Sequence, residues 1–515
     1  MHTEKANSAA GRKASESKRF FDHTVRGTAL AIVQMEADLG LLRDNSYGPF
    51  ARLVWEASRF GLHTKLKQRL VEHQLAHTSS PSYRQMDPFR LVRWATRLFI
   101  LAFENGWILA PRRREWLVLQ NRRRRLRKDN VYDDVYTDEL VGQIPRRRRV
   151  LLEHNYLWSH QTPTRHRVWY TDTSYFIMAP VTPIVRLLIG SDLRKVGRMS
   201  RAVSDYLRNV LDIQLDLTSE WRQIAIRIAQ SRIADTVMLS WLRPQKLMLV
   251  CSYGKEPLLL AAKRLGIPSV EVQHGVVTPD HLGYSFPDDP GKTAFPDYML
   301  LFGEYWKRTV PWPIPPERLI TIGYPFFEQI RAETETTMKK RRVIFISQGT
   351  IGARLSRFAV DLAASLHEDV EIVYKLHPGE IARWRTFYPW LKNGAAKGLL
   401  TVVDGQHPTL YELLASARWQ IGVYSTAIFE GIALGCSTYL VDLPGIEYME
   451  SLIQSGAARL VRNPAEVDWS SWDASVDPDD FFARDWRRNF RQFLAMPLSL
   501  ETRRLSRASE RMDSK

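Results

Sequence analysis

Histidine side chains follow a strand-like apolar run in the segment EVQHGVVTPDHLGY (271–284), and they are the first candidates for chemistry in this sequence. Imidazole titrates near neutral pH, so a histidine at such a position can take the proton of a hydroxyl group. His274 is the candidate base. It could instead contact the phosphate of a substrate bound on the opposite side of an active-site cleft, or it could stabilise its own loop by hydrogen bonds. Three rival bases lie in the same region: His281, Asp280 and Glu304.

A second histidine motif, YKLHPGE (374–380), gathers Lys375, His377 and Glu380 where an apolar strand passes into a helix. A histidine close to a helix N-terminus can donate a hydrogen bond to a phosphate oxygen. Taken alone, a His-Pro pair is more typical of a residue that hydrogen-bonds its own loop. The phosphate interpretation therefore depends on the motifs that accompany it.

Hydroxyl residues open a helix in VYSTAIFEGIALG (423–435). Ser425 and Thr426 follow a strand, so their hydroxyls and the free N–H groups of the first turn face the carboxyl edge of the sheet. Glu430 lies one turn further along the same face, where a carboxylate could accept the hydroxyls of a ribose. Ordinary N-capping explains the Ser-Thr pair alone, whereas its combination with His377 on a neighbouring strand indicates a nucleotide pocket.

A third loop, ISQGTIG (346–352), adds polar groups at the same predicted edge: Ser347, Gln348, Gly349 and Thr350. A glycine there lets backbone amides approach a pyrophosphate. The loop has neither the GxGxxG nor the GxxxxGK[ST] spacing, so the sequence supports neither a dinucleotide oxidoreductase nor a P-loop ATPase.

Alternating strands and helices must position these motifs. Residues 247–273 predict a βαβ unit, and residues 343–455 predict five strands with intervening helices, which together indicate an α/β protein with two doubly wound sheets. Ligands bind at the carboxyl ends of such strands, so two domains in tandem would face each other across a cleft. An amphipathic helix over 481–496 could pack back across both domains.

Composition changes along the chain predict five segments. They are a basic helical region (1–149), an N-terminal Rossmann-like domain on the acceptor side (150–330), a linker (331–342), a nucleotide-binding Rossmann-like domain (343–465) and a helical tail (466–515).

The chain of 515 residues has two cysteines and a net charge of +17. Its polar start lacks the apolar region of a signal peptide, and no stretch is apolar enough to span a bilayer, so we expect a cytoplasmic protein. Arginine clusters within 112–149 indicate either a solvated helical face or peripheral contact with the inner face of the cell membrane. No nucleic-acid recognition motif accompanies the charge, so nucleic-acid binding is not expected.

The motifs KLHPGE and YSTAIFEGIALG, preceded by SVEVQHGVVTPDHLGY, resemble those of GT-B-fold glycosyltransferases of bacterial surface and capsular polysaccharide biosynthesis. Histidine-proline sialyltransferases, CDP-glycerol glycerophosphotransferases and UDP-GlcNAc 2-epimerases are looser relatives. The resemblance covers about residues 247–465. It implies that His377 contacts the donor phosphate, that Ser425 and Thr426 bind the leaving phosphate or nucleotide, and that Glu430 holds ribose.

The resemblance further implies that no metal or other cofactor is needed, because histidine and helix dipoles neutralise the departing nucleotide. The sequence thus predicts an inverting glycosyltransferase that moves a sugar from a nucleotide-sugar donor to a polysaccharide or lipid-linked acceptor. A UDP-sugar 2-epimerase, a polyol-phosphate transferase and a non-catalytic scaffold remain as alternatives.

Overall fold

The computed structural model describes residues 24–42, 47–74, 96–97, 99–127, 129–157, 159–287, 292–366, 369–405, 407–470 and 476–500. The polar start of the chain and the end of the predicted tail lie outside these ranges. The statements below concern the described residues.

A seven-stranded, fully parallel sheet forms the first Rossmann-like domain. Its strands lie in the order β5-β4-β1-β6-β7-β8-β9, which is 3-2-1-4-5-6-7 in chain order and extends the Rossmann arrangement by one strand. The strands are β1 (Trp116–Leu119), β4 (Arg149–Glu153), β5 (Trp169–Tyr170), β6 (Lys246–Val250), β7 (Ser269–Val272), β8 (Tyr298–Leu301) and β9 (Leu319–Thr321). A short antiparallel hairpin, β2 (Arg125–Leu126) with β3 (Tyr132–Asp133), follows β1.

A six-stranded parallel sheet forms the second domain, in the Rossmann order 3-2-1-4-5-6. Its strands are β10 (Lys340–Ile346), β11 (Glu371–Lys375), β12 (Thr401–Val403), β13 (Ala417–Gly422), β14 (Ser437–Val441) and β15 (Arg459–Val461). The five predicted strands are present, and the sequence analysis missed the short β15. Buried apolar faces on most strands, such as the fully buried run at the end of β10, explain why parallel pairing is stable here.

Helices connect the strands and cover the sheets. Those before and within the first domain are α1 (Val25–Leu39), α2 (Pro49–Gln74), α3 (Asp138–Gly142), α4 (Thr173–Met178), α5 (Thr182–Leu188), α6 (Gly190–Leu211), α7 (Thr218–Leu242), α8 (Glu256–Arg264), α9 (Glu304–Thr309) and α10 (Pro325–Thr334). Those that follow are α11 (Gly352–Ser365), α12 (Trp384–Phe387), α13 (Pro389–Ala396), α14 (Leu410–Ser416), α15 (Thr426–Ala433), α16 (Glu450–Gln454), α17 (Pro478–Phe481) and α18 (Trp486–Ala495).

The predicted boundary at residue 149 is wrong, because β1 lies at the centre of the first sheet between β4 and β6. The four residues of β1 are all buried, and so short a strand is easily masked by the arginine clusters on either side of it. Helices α1 and α2 do form a helical module, and it packs on α6. The apolar run 168–178 contains the short strand β5 and then the helix α4.

The predicted linker 331–342 is also wrong, since α10 continues to Thr334 and β10 starts at Lys340. The polar residues of this stretch lie on exposed surfaces of the two elements. Only residues 335–339 join them.

The helix α18 packs on the first domain although it follows the second in sequence. Trp486, Phe490 and Phe493 belong to the buried cluster of the first sheet, and the rings of Phe493 and Trp116 lie 6.2 Å apart. The amphipathic pattern of 481–496 is helical over Trp486–Ala495, and this helix packs on the first domain, whereas the sequence analysis proposed packing across both domains.

The carboxyl edges of the two sheets face each other. A single buried cluster contains Met299 and Phe302 from the first domain and Ile344, Ala427 and Leu440 from the second. The backbone N–H of Val276, just after β7, donates to Thr426 Oγ1 at the start of α15 over 3.4 Å. Two Rossmann-like domains facing each other across a cleft are the fold that the sequence predicted.

Candidate functional site

The turn after β7 is held rigidly by Gln273. Its side-chain amide donates to the carbonyl of Gly275 (2.9 Å), while its carbonyl oxygen accepts from the backbone of Phe302 (2.8 Å). Because Gln273 is buried and bonded at both ends, the backbone of His274 has a defined position at the sheet edge.

The half-buried imidazole of His274 lies between two tyrosine hydroxyls. Nε2 is 3.3 Å from the hydroxyl of Tyr253, and Nδ1 is 3.3 Å from the hydroxyl of Tyr284. Burial lowers the pKa of His274 to about 4, and the positive charge of Lys255 acts in the same direction. His274 is therefore neutral at pH 7, the form in which a histidine accepts a proton.

A buried carboxylate lies behind His274 and selects its tautomer. Tyr284, which is itself buried, donates its hydroxyl proton to Glu271 in the middle of β7. Having one proton only, the Tyr284 hydroxyl can then accept a hydrogen bond from His274 Nδ1–H. This arrangement leaves a lone pair on Nε2, the nitrogen beside Tyr253.

The three rival bases have other partners. The ring of His281 stacks on Phe60 with centroids 4.6 Å apart, its Nδ1 accepts from the backbone of Gly283 (3.2 Å), and burial lowers its pKa to about 3. Asp280 forms an ion pair with Arg26 at 3.5 Å. Glu304 is exposed and accepts from Thr321 at the end of β9. These contacts favour His274 over its rivals.

On the opposite domain, His377 presents its Nε2 to solvent. Its Nδ1 accepts from the backbone of Gly379 (3.1 Å), so the neutral ring carries its proton on Nε2. Desolvation lowers the pKa of His377, and the charge of Arg123 from the first domain adds to that shift although Glu380 opposes it. The exposed Nε2–H is suited to donate to an anionic oxygen at the cleft.

The carboxylate of Glu380 braces two of the loops. It accepts from the backbone of His377 (2.8 Å), from Ser347 Oγ (2.9 Å) and from the hydroxyl of Tyr388 (2.6 Å). Lys375 Nζ donates to the carbonyls of Gly405 (2.7 Å) and of Pro408 (3.4 Å). In this structure Lys375, Glu380 and Ser347 hydrogen-bond neighbouring loops, and their contacts with a ligand stay a prediction.

The remaining loop residues are more open. Gly349 and Thr350 are exposed and Gln348 is half-buried, with Thr350 hydrogen-bonded to the hydroxyl of Tyr424. Ser425 caps α15 by accepting from the backbone of Ala427 (3.2 Å). Backbone N–H groups at the start of α15 therefore lie at the cleft with Thr426.

The carboxylate of Glu430 is buried one turn inside α15. The hydroxyl of Tyr411 donates to it over 3.2 Å, and burial raises its pKa to about 7. The tyrosines Tyr136 and Tyr324 are close enough for its charge to raise their pKa values. A buried carboxyl group whose pKa is raised in this way is a common feature of ligand sites.

Sequence reasoning missed an ion cluster that supports the first domain's side of the cleft. The guanidinium of Arg124 is buried and bonded to Glu153 (2.8 Å) and to Gln120 (2.9 Å). His160 bridges Glu153 (2.7 Å) and Asp172 (2.8 Å), and hydrogen bonds to these carboxylates raise its pKa against the opposing effect of burial. A run of four arginines in sequence hides the one that is buried.

Anchoring of Arg124 places its exposed neighbours at the cleft. The guanidinium of Arg125 lies 4.9 Å from the ring of Phe326, and Arg123 is close enough to influence the pKa values of His377 and Tyr136. Arg123 thus lies near His377 of the second domain, whereas the contact of Arg125 is with α10.

No three His, Cys, Asp or Glu side chains in the described ranges stand together in a way that could hold a metal ion. None of the helices in the described part of the chain is long and apolar enough to cross a bilayer.

No family model and no curated protein matches the chain. Among solved structures, UDP-GlcNAc 2-epimerase from Methanocaldococcus jannaschii is similar over 74% of this chain and 99% of that one, with 11% identity and a TM-score of 0.43. MurG from Acinetobacter baumannii is similar over 74% of this chain and 100% of its own, with 11% identity and a TM-score of 0.39. The spinosyn rhamnosyltransferase SpnG is similar over 74% of this chain and 97% of its own, with 15% identity and a TM-score of 0.33. These TM-scores are low, so the fold class rests on the strand orders and the facing edges described above.

Proposed function

We propose that this protein transfers a sugar from a nucleotide-sugar donor to a hydroxyl group of a glycan or glycolipid acceptor. The observation that carries the proposal is the contact of the His274 loop with the start of α15, through Val276 and Thr426, at the facing carboxyl edges of two Rossmann sheets. A candidate base and a candidate nucleotide pocket thereby share one cleft.

The second domain would bind the nucleotide half of the donor. His377 Nε2–H and the first N–H groups of α15 would donate to phosphate oxygens, with Arg123 approaching from the first domain. Glu430 would accept hydrogen bonds from the ribose hydroxyls, in addition to the one from Tyr411. Ser347, Lys375 and Glu380 would act by holding the loops in place.

The reaction would be a single displacement with inversion. The acceptor oxygen attacks the anomeric carbon, its proton passes to His274 Nε2, and the bond from that carbon to the nucleotide oxygen breaks with its electron pair. With the proton of His274 on Nδ1, the hydroxyl of Tyr253 would donate to Nε2 over 3.3 Å, and the acceptor hydroxyl would take its place. His377 and the dipole of α15 would stabilise the leaving phosphate, the role that a cation has in other transferases.

The finer assignment is to surface or capsular polysaccharide assembly on the cytoplasmic side of the cell membrane. It is supported by the resemblance of the KLHPGE and YSTAIFEGIALG motifs and by the basic charge of the chain. A lipid-linked acceptor fits both features.

The proposal is tested with a thermal-shift panel of nucleotides and CMP-, CDP-, UDP- and GDP-sugars. A donor at 100 times its Kd should add about 2.7 kcal/mol to the free energy of unfolding. His274→Ala should lower turnover far more than nucleotide affinity, because its target is the acceptor proton, whereas His377→Ala should damage both.

Three outcomes would contradict the proposal. A protein that binds none of these donors is not a nucleotide-sugar enzyme. Interconversion of a UDP-sugar without acceptor, followed by NMR, would replace transfer by epimerisation, and a His377→Ala strain with an intact phenotype would favour a scaffold.

A further inference from the structure

Large apolar side chains are exposed on one side of the first domain. In α5, Leu187 and Leu188 are 81% and 73% exposed, and Ile184 is 60% exposed. In a seven-residue helix this leaves Val185 as the buried anchor. Scattered exposed leucines are common, but a group of this size marks a surface that binds something.

A second group of exposed apolar side chains lies on the helix α7, against which α5 packs. Its exposed residues Ile233, Val237 and Trp241 recur every four positions and form a single stripe. Helix α5 packs against α7, and Gln230 of α7 donates to Thr182 Oγ1 at the start of α5 (2.7 Å). We call the six residues Ile184, Leu187, Leu188, Ile233, Val237 and Trp241 the apolar face.

Arginines border the apolar face. Arg186 lies within α5 and is exposed, the guanidinium of Arg112 lies 4.3 Å from the ring of Trp241, and exposed Arg243 ends α7. Residues 173–189, which include α4 and α5, contain no Asp or Glu. Apolar side chains with arginines beside them match a surface that has an apolar interior and anionic headgroups.

We infer that the apolar face docks on an anionic lipid bilayer. Leucine, isoleucine and tryptophan side chains would enter the boundary between headgroups and acyl chains, while the arginines contact lipid phosphates. A second copy of the chain fits less well, because a two-fold interface centred here would bring the two sets of arginines together. The inference deepens the proposed function and rests on it, because the lipid-linked acceptor of that reaction would lie in this bilayer.

Vesicle flotation tests the inference with the full chain. On phosphatidylcholine vesicles containing about one third phosphatidylglycerol, the wild type should float, and Leu187→Glu with Leu188→Glu should lower the partition coefficient at least about tenfold. The matched control is Met338→Glu with Leu399→Glu, two exposed apolar residues elsewhere, which should bind like the wild type. Vesicles of phosphatidylcholine alone should bind the wild type more weakly.

Three results would overturn the inference: no binding by the wild type, equal binding by the α5 variant, or an equal loss in the control. A wild-type dimer that the α5 variant converts to monomer, measured by light scattering, would assign the face to a second copy. Nucleotide thermal shifts and vesicle binding, both measured on the wild type, separate the two proposals. A wild type that shows the shifts but does not bind vesicles contradicts only the docking, and one that binds vesicles without the shifts contradicts only the transferase.

Discussion

At the scale of single residues, the neighbours of His274 matter as much as the histidine itself. Glu271, Tyr284 and His274 form a chain from the middle of β7 to the cleft. These residues lie within 14 positions of one another in the sequence. The sequence alone gives no partner for Glu271, an acidic residue in the middle of an apolar strand. Only the return of the loop over the strand shows that the charge has a partner.

Tyr284→Phe tests this chain. The variant keeps the ring but removes the hydroxyl that holds His274 Nδ1–H, so turnover should fall roughly tenfold, the scale of one lost hydrogen bond, while nucleotide Kd stays unchanged.

Because the wild-type pKa of His274 is about 4, wild-type turnover should be constant from pH 8 to about pH 5 and decline below that as His274 becomes protonated.

The measurements are initial rates against pH and nucleotide binding by calorimetry. Loss of the buried Glu271 partner should also cost about 1–3 kcal/mol of unfolding free energy. A variant that loses stability alone, with wild-type turnover over the whole pH range, would make Tyr284 purely structural.

At the scale of elements, the loop between β1 and the β2–β3 hairpin carries arginines with opposite roles. Arg124 is buried among Glu153, Gln120 and Asp138, whereas Arg123 is exposed at the cleft. The buried arginine fixes the loop, and the exposed one is available for phosphate.

A pair of substitutions in this loop separates the two roles. Arg124→Ala should destabilise the protein by roughly 3–5 kcal/mol, because it leaves buried carboxylates without their cation. Arg123→Ala should change stability by less than about 0.5 kcal/mol but weaken nucleotide binding roughly tenfold. Urea unfolding and calorimetry give both quantities, and similar nucleotide Kd values for Arg123→Ala and wild type would remove Arg123 from the site.

At the scale of the whole molecule, the two domains are tied together by the end of the chain. Helix α17 contacts both α9 and α15, and Trp306 donates to the carbonyl of Phe481 over 2.8 Å. Helix α18 then packs on the first sheet. The cleft is thus closed along one side by a segment that follows both domains in sequence.

Phe490→Ala tests how much the molecule depends on this return. The side chain is fully buried in the core of the first domain, so its truncation should cost about 3–5 kcal/mol of unfolding free energy. Arg488→Ala, on the exposed side of the same helix, is the control and should be nearly neutral. Equal denaturation midpoints for the two variants would show that α18 does not stabilise the first domain.

The alternation of short apolar runs with helices predicted the α/β class, the five main strands of the second domain and the placement of His274, His377, Ser425 and Thr426 at strand ends. These features are local, because a strand that is buried on both faces must be apolar and the polar groups must follow where it ends. The strand β1 escaped prediction because its four buried residues are fewer than the arginines that flank it.

The partners of the polar residues were decided by tertiary structure alone. The sequence by itself determined that the chain has two parallel sheets with histidines at their carboxyl edges. It did not determine that Glu380 and Lys375 brace loops, that Arg124 is buried or that α18 returns to the first sheet. A carboxylate or a guanidinium has the same chemistry wherever it stands, and only the fold sets which charge or hydroxyl lies within 3 Å of it.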